Sequence, residues 1–384
     1  MAPISLELEN QYPKPVQGKI ADQEEDQDRE NFCYAVQLVF SSVLPMSLHA
    51  AIELGVFDII AKAGDGAELS AAEIVVQMPT SNHDAAMMVD RILRLLASHS
   101  VLNCSVVADD DESSGSFKRL YGLGPVSKYF VTNEDGVSLG PFMALIQDKV
   151  ILDCWSEMKG AILEGGLPFN RAHGMHAFKY TELDPRFNQV YNTAMYNVTT
   201  IVVKKILKSY KGFEKLTHLV DVGGGLGVTL NLIISKYPHI KGVNFDLPQV
   251  IEHAPSYPGV EHVGGDIFER VPTGDAILLK ASFEILSILH DWSDEPCLKI
   301  LRKCYDAIPE TGKVIVVEEI LPVMPETKAA VKSTSQTDVI MLTKNPGGKE
   351  RSQQEFLALA TAAGFNGVEF ECCGCNFWVM EFLK

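Results

Sequence analysis

The length, composition and charge of this chain limit what it can be. Its 384 residues are 46% hydrophobic and 22% charged, which predicts a globular protein of about two or three domains. The net charge of -17 and the pI near 5.0 would repel nucleic acid phosphates and acidic membranes, because such partners are normally bound by patches of Lys and Arg. We therefore expect no nucleic acid and no membrane partner.

The N-terminal segment and the cysteines indicate the cellular location of the protein. Residues 1–30 contain no apolar run long enough for a secretory signal or a membrane span, so we expect a flexible acidic arm on a cytoplasmic protein. The eight cysteines are then expected to be reduced thiols. Cys372, Cys373 and Cys375 are close in sequence, but no second ligand pair flanks them at zinc-finger spacing, which favours apolar strand positions over a metal site.

Residues 31–136 are predicted to form a helical domain. Apolar residues first recur at helical spacing, with a break expected at Leu44-Pro45. Ser70 and Glu73 have the spacing of a capping box at the start of a short helix, and an amphipathic helix follows. The runs VLNCSVV and SFKRLYGL then predict a β-hairpin with a polar tip. Helices followed by a hairpin are typical of a winged-helix module, and the acidic charge favours a packing or dimerisation role over DNA binding.

Residues 137–384 are predicted to form the larger domain. Helical patterns continue to Tyr210, and from Thr217 short buried β runs alternate with helices, which predicts a mostly parallel sheet covered by helices on both faces. The final runs VEFECC and FWVMEFLK are expected to close the sheet as an antiparallel pair. The predicted fold class is therefore α/β, with a doubly wound, Rossmann-like domain after a helical, winged-helix-like one.

A glycine loop follows the first buried strand of the larger domain. In Asp221-Val-Gly223-Gly-Gly225-Leu-Gly227 the glycines permit a tight turn and a close approach of ligand to backbone. A phosphate-binding P-loop would end in Gly-Lys-Ser/Thr, which is absent, and a dinucleotide fingerprint would have its third glycine at Val228. The spacing therefore favours a methyltransferase over a nicotinamide dehydrogenase, which stays an alternative.

Two acidic residues end the next two strands. Asp246 is placed to accept hydrogen bonds from ribose hydroxyls, and Asp266 to contact the adenine edge while Ile267 packs on the ring. Their structural alternatives are a helix N-cap for Asp246 and a strand-end turn for Asp266. Because both follow successive strands beside a glycine loop, where open parallel sheets bind ligands, a cofactor site is favoured.

A histidine and two glutamates are candidates for the chemistry. The phrase His290-Asp291-Trp292 precedes a helix, a position where a histidine alone is more often structural. Glu318 ends a predicted strand and Glu350 lies in NPGGKER. Because the ends of these segments converge at one edge of a parallel sheet, we expect both carboxylates near the imidazole.

The motifs LVDVGGG, NFDLP, APSYPGVEHVGGD, HDWSDE and NPGGKER together resemble a class of plant O-methyltransferases typified by caffeic acid O-methyltransferase. The likeness extends from about residue 30 to the C-terminus. The resemblance implies a helical dimerisation domain, a Rossmann-like catalytic domain, a homodimer and no metal. It also implies methyl transfer from S-adenosyl-L-methionine to a phenolic hydroxyl of a small aromatic plant metabolite, which would be a phenylpropanoid, a flavonoid or an alkaloid.

The resemblance also implies roles for individual residues. His290 would be the general base, with Glu318 and Glu350 on either side of it. The implied cofactor contacts are Gly223, Asp246, Asp266, Ile267 and Lys280. The implied substrate-pocket positions are Phe187, Tyr191, Met195, Ile340, Met341 and Asn345. Ordinary core packing is the alternative for the apolar members of this last set.

Phenol chemistry explains why a base is needed. A phenol with a pKa near 10 is only about one part in a thousand ionised at pH 7, so unaided deprotonation costs about 4 kcal/mol. A positioned imidazole lowers this barrier, and a carboxylate fixes its tautomer and stabilises the imidazolium. The attack on the methyl group then requires mainly alignment.

The sequence departs from the family pattern between Lys280 and His290. The intervening ASFEILSIL is longer than the family's connection and lacks its tryptophan. A loop that bulges between correctly placed ends is favoured over a slipped strand that removes Lys280 from the cofactor. The alternative function is a catalytically impaired homologue that dimerises. Thr181 and Ile146 also stand where caffeate-selective members have His and Asn, so the sequence does not identify the phenol.

Overall fold

The computed structural model describes residues 23–108, 117–280 and 288–384. Most of the predicted arm, the hairpin tip and most of the run ASFEILSIL lie outside the described residues. The chain divides into two compact units between Met143 and Ala144, whereas the predicted boundary is at 136/137. The helix over Gly140–Ile146 crosses this point, so the change of unit falls within a helix rather than in a linker.

In the described residues, the first unit consists of helices and a small antiparallel sheet. The helices are α1 (Gln23–Val39), α2 (Val43–Glu53), α3 (Val56–Lys62), α4 (Ala71–Val75), α5 (Ala85–Ser98), a 3-10 turn (Ser127–Tyr129) and the first half of α6 (Gly140–Ile146). The strands are β1 (Glu68–Leu69), β2 (Leu102–Ala108) and β3 (Phe117–Leu123), in the order β1-β3-β2. Strands β2 and β3 pair antiparallel, which confirms the predicted hairpin.

Local sequence explains how the first helices begin. The Ser70 hydroxyl accepts from the Glu73 amide and the Glu73 carboxylate accepts from the Ser70 amide at 2.8 Å, which confirms the capping box. Helix α1 begins at Gln23, inside the predicted arm. Pro45 lies in the first turn of α2, where proline is tolerated, so the break precedes it at residues 40–42.

Apolar side chains remain exposed on α1 and just beyond it. Phe32 is 69% exposed, Leu38 57% and Phe40 60%. No single described helix combines the length and the apolar composition that a membrane span needs. The segments Glu25–Val39 and Val43–Glu53 reach the required length and apolar composition only when taken together, and they are bent by 54° relative to each other.

The second unit carries the larger sheet. Its helices are α7 (Lys149–Ser156), α8 (Met158–Glu164), α9 (Pro168–His173), α10 (Ala177–Leu183), α11 (Pro185–Ser209), α12 (Val228–Lys236), α13 (Pro248–Ile251), α14 (Asp294–Ala307), α15 (Ala329–Lys344) and α16 (Gln353–Ala363). Its strands are β4 (His218–Val222), β5 (Lys241–Asp246), β6 (Val260–Gly264), β7 (Ala276–Lys280), β8 (Lys313–Glu319), β9 (Gly367–Gly374) and β10 (Phe377–Leu383).

The strand order is β6-β5-β4-β7-β8-β10-β9. Strands β4 to β8 pair parallel, and β10 pairs antiparallel with both β8 and β9, which confirms the predicted sheet and its closing pair. The register aligns Val222 with Leu279 and Lys280 with Val317. The carboxyl ends of the central strands therefore lie level at one edge, and β7 keeps its register through Lys280.

Packing around this sheet is apolar and tight. All five residues of β7 are buried, as expected for a central strand covered on both faces. Helices α14 and α16 contribute Ile300, Leu301 and Phe356 to a core formed with the strands. All eight cysteines are free, as predicted. Of the late group, Cys372 and Cys373 lie on β9, whereas Cys375 lies in the β9–β10 turn with φ +54°.

Candidate active site

His290 lies in the turn before α14, at the carboxyl edge of the sheet, and is 4% exposed. Its Nδ1 is 2.8 Å from Glu350 Oε1 and 3.7 Å from Glu318 Oε2. Glu318 is at the end of β8, and Glu350 lies between α15 and α16. The structure therefore brings the three residues together, as the convergence of strand ends predicts.

The hydrogen bond to Glu350 fixes the roles of the two ring nitrogens. A carboxylate can only accept, so Nδ1 carries the proton and donates. The other nitrogen, Nε2, is buried and makes no hydrogen bond with any described residue. It lies 3.7 Å from Asp291 Oδ1, which accepts a hydrogen bond from Asn345 Nδ2. Nε2 is thus the atom available to take a proton.

Buried carboxylates control the charge of the His290 imidazole. Burial lowers the pKa of His290, but Glu350 and Glu318 outweigh it and raise the pKa to about 10. Burial raises the pKa of Glu318 to about 7 against the opposing effect of His290, and it also raises that of Glu319 to about 7. The site thus stabilises an imidazolium much more strongly than water does.

The glycine loop turns through the left-handed region three times. Gly223, Gly225 and Gly227 have φ of +67°, +57° and +81°, which favours glycine at each. The Gly225 amide donates to Asp246 Oδ2 at 2.8 Å, and the Leu247 amide donates to Oδ1 at 2.6 Å. Burial raises the pKa of Asp246, while these two hydrogen bonds lower it.

Asn244 supports the same loop, and the sequence reasoning missed it. Its Nδ2 donates to the Gly225 carbonyl at 2.9 Å and lies 3.1 Å from His262 Nδ1. Its Oδ1 is buried and makes no hydrogen bond with the described residues. A Cβ on Gly224 would come within 2.1 Å of that oxygen. The signal that could have revealed Asn244 is a polar residue inside the buried strand KGVNFD.

The remaining cofactor candidates have local contacts. Asp266 Oδ1 accepts from the Phe268 amide at 2.8 Å, so the strand-end turn considered for it is present. Ile267 packs against the core of the sheet. Lys280 is buried at the end of β7, and its Nζ donates to Thr199 Oγ1 at 3.4 Å. The bulge predicted after Lys280 falls on residues 281–287, outside the described part of the chain.

Five of the six predicted pocket positions lie on two helices, and the sixth, Asn345, follows the second of them. Phe187, Tyr191 and Met195 are buried one turn apart on α11, which begins at the Asp184 N-cap. Ile340 and Met341 lie on the last turns of α15, and Asn345 follows directly. Asn345 connects this helix to the His290 segment through its hydrogen bond to Asp291.

Comparison with known proteins identifies the family. The O-methyltransferase domain matches residues 155–366, and the O-methyltransferase dimerisation domain matches residues 36–133. The chain is 60% identical over 370 residues to catechol O-methyltransferase 1 of Solanum lycopersicum, covering 95% of this chain and 98% of that protein. It is 58% identical over 357 residues to caffeic acid 3-O-methyltransferase 1 of Populus kitakamiensis, covering 93% and 95%.

A solved structure shows the same fold. Human N-acetylserotonin methyltransferase in complex with SAM superposes with a TM-score of 0.73 at 22% identity, covering 96% of this chain and 99% of that one. The comparisons give no support to a catalytically impaired homologue or to a dehydrogenase. Because the domain match spans more than half of the chain and the relatives span nearly all of it, this chain belongs to the S-adenosylmethionine-dependent O-methyltransferases of the caffeic acid type.

Proposed function

We propose that the chain methylates a phenolic hydroxyl of a small aromatic plant metabolite, in the phenylpropanoid, flavonoid or alkaloid class, with His290 as the general base. The observation that carries this proposal is the buried imidazole, bound at Nδ1 by Glu350 while Nε2 is left without a hydrogen bond from the described residues. The substrate class rests on relatives named for catechol and caffeic acid.

The glycine loop fits an adenosine-containing donor. Gly224 packs directly against Asn244, whose buried Oδ1 makes no hydrogen bond with the described residues, and such an orphaned acceptor beside the loop suits a ligand that brings a hydrogen-bond donor. Each Asp246 oxygen accepts one backbone hydrogen bond and retains a lone pair for a ribose hydroxyl. We propose that the cofactor is held by Gly223, Asp246, Asp266, Ile267 and Lys280. When bound, S-adenosylmethionine supplies an electrophilic methyl group.

The raised pKa of His290 suits a phenol. An imidazole with an ordinary pKa of about 6.5 lies about 3.5 pKa units below a phenol, so taking its proton would be uphill by roughly 5 kcal/mol. With a pKa of about 10, proton transfer from the hydroxyl to Nε2 is close to balanced. Glu350 then holds the imidazolium in place through Nδ1, and Glu318 adds charge stabilisation. These three residues perform the proton transfer in this proposal.

The positions on α11 and α15 would hold the aromatic ring. Phe187, Tyr191, Met195, Ile340 and Met341 offer aromatic and thioether surface for ring contacts, and Asn345 offers a polar group beside Asp291.

The exposed apolar side chains of α1 support a homodimer formed through the dimerisation domain. The arm, the domain limits at 31–136 and 137–384, and the cytoplasmic location stay predictions.

A transfer assay tests the proposed activity. The protein is incubated with methyl-labelled S-adenosylmethionine and a panel of catechols and monophenols, with the matching anilines in parallel. We expect label in the methyl ether of at least one catechol. Label on no phenol, or on anilines alone, would contradict the proposal, since it assigns the base to a hydroxyl.

The pH dependence of catalysis should depend on Glu350. Below the raised pKa of His290, its imidazole is already protonated and cannot accept a proton from the substrate. The kcat/KM of the native enzyme should therefore rise with pH up to about 10. Glu350→Gln removes a carboxylate that raises this pKa, so the acid limb should move to lower pH, towards the ordinary value of about 6.5. The pH profile of kcat/KM measures this shift.

The matched control is Glu310→Gln, because Glu310 is 89% exposed and paired only loosely with Lys384 at 3.8 Å. Its profile should superimpose on that of the native enzyme. An acid limb that stays in place in Glu350→Gln would show that this carboxylate does not set the protonation of the base.

A further inference from the structure

We infer that Arg351 is a positioning residue that holds the backbone on both sides of His290, and this inference rests on the proposed function. Arg351 is 1% exposed. Its Nη1 donates to the Leu289 carbonyl and its Nη2 to the Trp292 carbonyl at 2.8 Å. The two carbonyls flank His290 in sequence, so one guanidinium fixes the segment before and after the ring.

Further backbone hydrogen bonds fix the same segment around His290. The Leu289 amide donates to Glu318, and the Lys349 amide donates to the His290 carbonyl at 2.9 Å. The backbone of Arg351 is itself held just beyond the end of β8, because its carbonyl accepts from the Leu321 amide at 3.0 Å. The segment from Leu289 to Trp292 is therefore tied to the end of β8, where Glu318 lies.

The charge of the buried guanidinium is balanced locally. Nε and Nη2 donate to Asp294 Oδ1 at 3.1 and 2.8 Å, which supplies the carboxylate that a buried cation requires. Arg351 also favours the ionised form of Glu318 by lowering its pKa against burial. Geometry and charge therefore both connect Arg351 to the base rather than to the substrate.

A lysine could not replace this group. Arginine presents five donors in a rigid plane, whereas lysine has one flexible ammonium. A single nitrogen cannot reach the Leu289 carbonyl, the Trp292 carbonyl and the Asp294 carboxylate together. The Arg351 contact also acts at Leu289, the last residue of the lengthened connection from Lys280. Arg351 would therefore set the position of His290 whatever the length of that connection.

The test compares two acceptors in Arg351→Lys. One is an ordinary catechol, and the other is a nitro-substituted catechol that is already ionised at the assay pH and needs no base. For the ordinary catechol we expect kcat to fall by ~100-fold, as for a catalytic group displaced by about 1 Å, with little change in KM. For the ionised catechol the fall should be under about threefold, because no proton has to be removed.

Two further variants make the result decisive. Arg302→Lys is the matched control, because Arg302 is exposed on α14 and donates to a single carbonyl, that of Ala362; it should behave as the native enzyme. Asp294→Asn removes the carboxylate partner of Arg351 but leaves both carbonyl contacts, and we expect a loss of ~3–10-fold that is again confined to the ordinary catechol. S-adenosylhomocysteine binding reports whether each variant is folded.

Each outcome separates this inference from the proposed function. Equal losses with both catechols in a variant that binds S-adenosylhomocysteine, or native activity in Arg351→Lys, would overturn the role of Arg351. If Arg351→Lys does not fold, native behaviour of Asp294→Asn would overturn it. Failure of the native enzyme to methylate either catechol would instead refute the proposed function.

Discussion

Replacing His290 with alanine is expected to lower kcat for an ordinary catechol by ~10²–10⁴-fold, the usual contribution of a general base. The dissociation constant for S-adenosylhomocysteine should change by less than about threefold, because the glycine loop makes its contacts with Asp246 and Asn244 and not with His290. Steady-state kinetics and calorimetry measure the two quantities. An acceptor that is already ionised should lose much less activity.

The control for this variant is His83→Ala, because His83 is exposed in the first unit. It should retain native kcat. A His290→Ala enzyme that keeps native kcat with the ordinary catechol would show that the hydroxyl loses its proton without this ring. Loss of cofactor binding in the same variant would mean that the imidazole acts through the fold of the site.

Gly224→Ala is expected to weaken cofactor binding by roughly 100-fold or more. The new Cβ would lie 2.1 Å from Asn244 Oδ1 and 2.8 Å from Asp221 Oδ2, so the loop must move away from the strand ends beneath it. The hydrogen bonds from Gly225 to Asp246 and from Asn244 to Gly225 would then break. If the cofactor binds the native loop conformation, restoring that conformation against the overpacking at a cost of about 3 kcal/mol would lower the affinity roughly 100-fold.

Gly367→Ala is the matched control, since a Cβ there has no atom within 4 Å and the backbone is not left-handed. Calorimetric titration with S-adenosylhomocysteine should give native affinity for this control and a large loss for Gly224→Ala. Native affinity in Gly224→Ala would show that the cofactor does not depend on the loop conformation described above.

The sheet could be predicted from the sequence because each central strand is a short buried run followed by a helix. This pattern determines which strands are parallel, and parallel strands bring their carboxyl ends to one edge. Glu318 and His290 were expected together for that reason, and the structure confirms their proximity. The capping box at Ser70 and the closing hairpin of β9 and β10 were predictable from equally local signals.

Other features of the site were not predictable, because they depend on side-chain geometry between distant segments. The sequence did not indicate that Glu350, rather than Glu318, makes the direct hydrogen bond to His290. It gave no sign that Arg351 is buried against two carbonyls, although Arg351 lies in a recognised motif. Asn345 and Asp291, which are 54 residues apart, form their hydrogen bond only once α15 is placed beside the turn.

Nitrogen NMR of the His290 ring, with histidine labelled and the signal assigned by its loss in His290→Gln, shows directly whether this imidazole has the protonation required of the base. We predict that Nδ1 is protonated throughout and that Nε2 loses its proton only well above pH 6.5. A ring that titrates at or below about pH 6.5, or that carries its first proton on Nε2, would contradict the role of His290 as a base poised by Glu350.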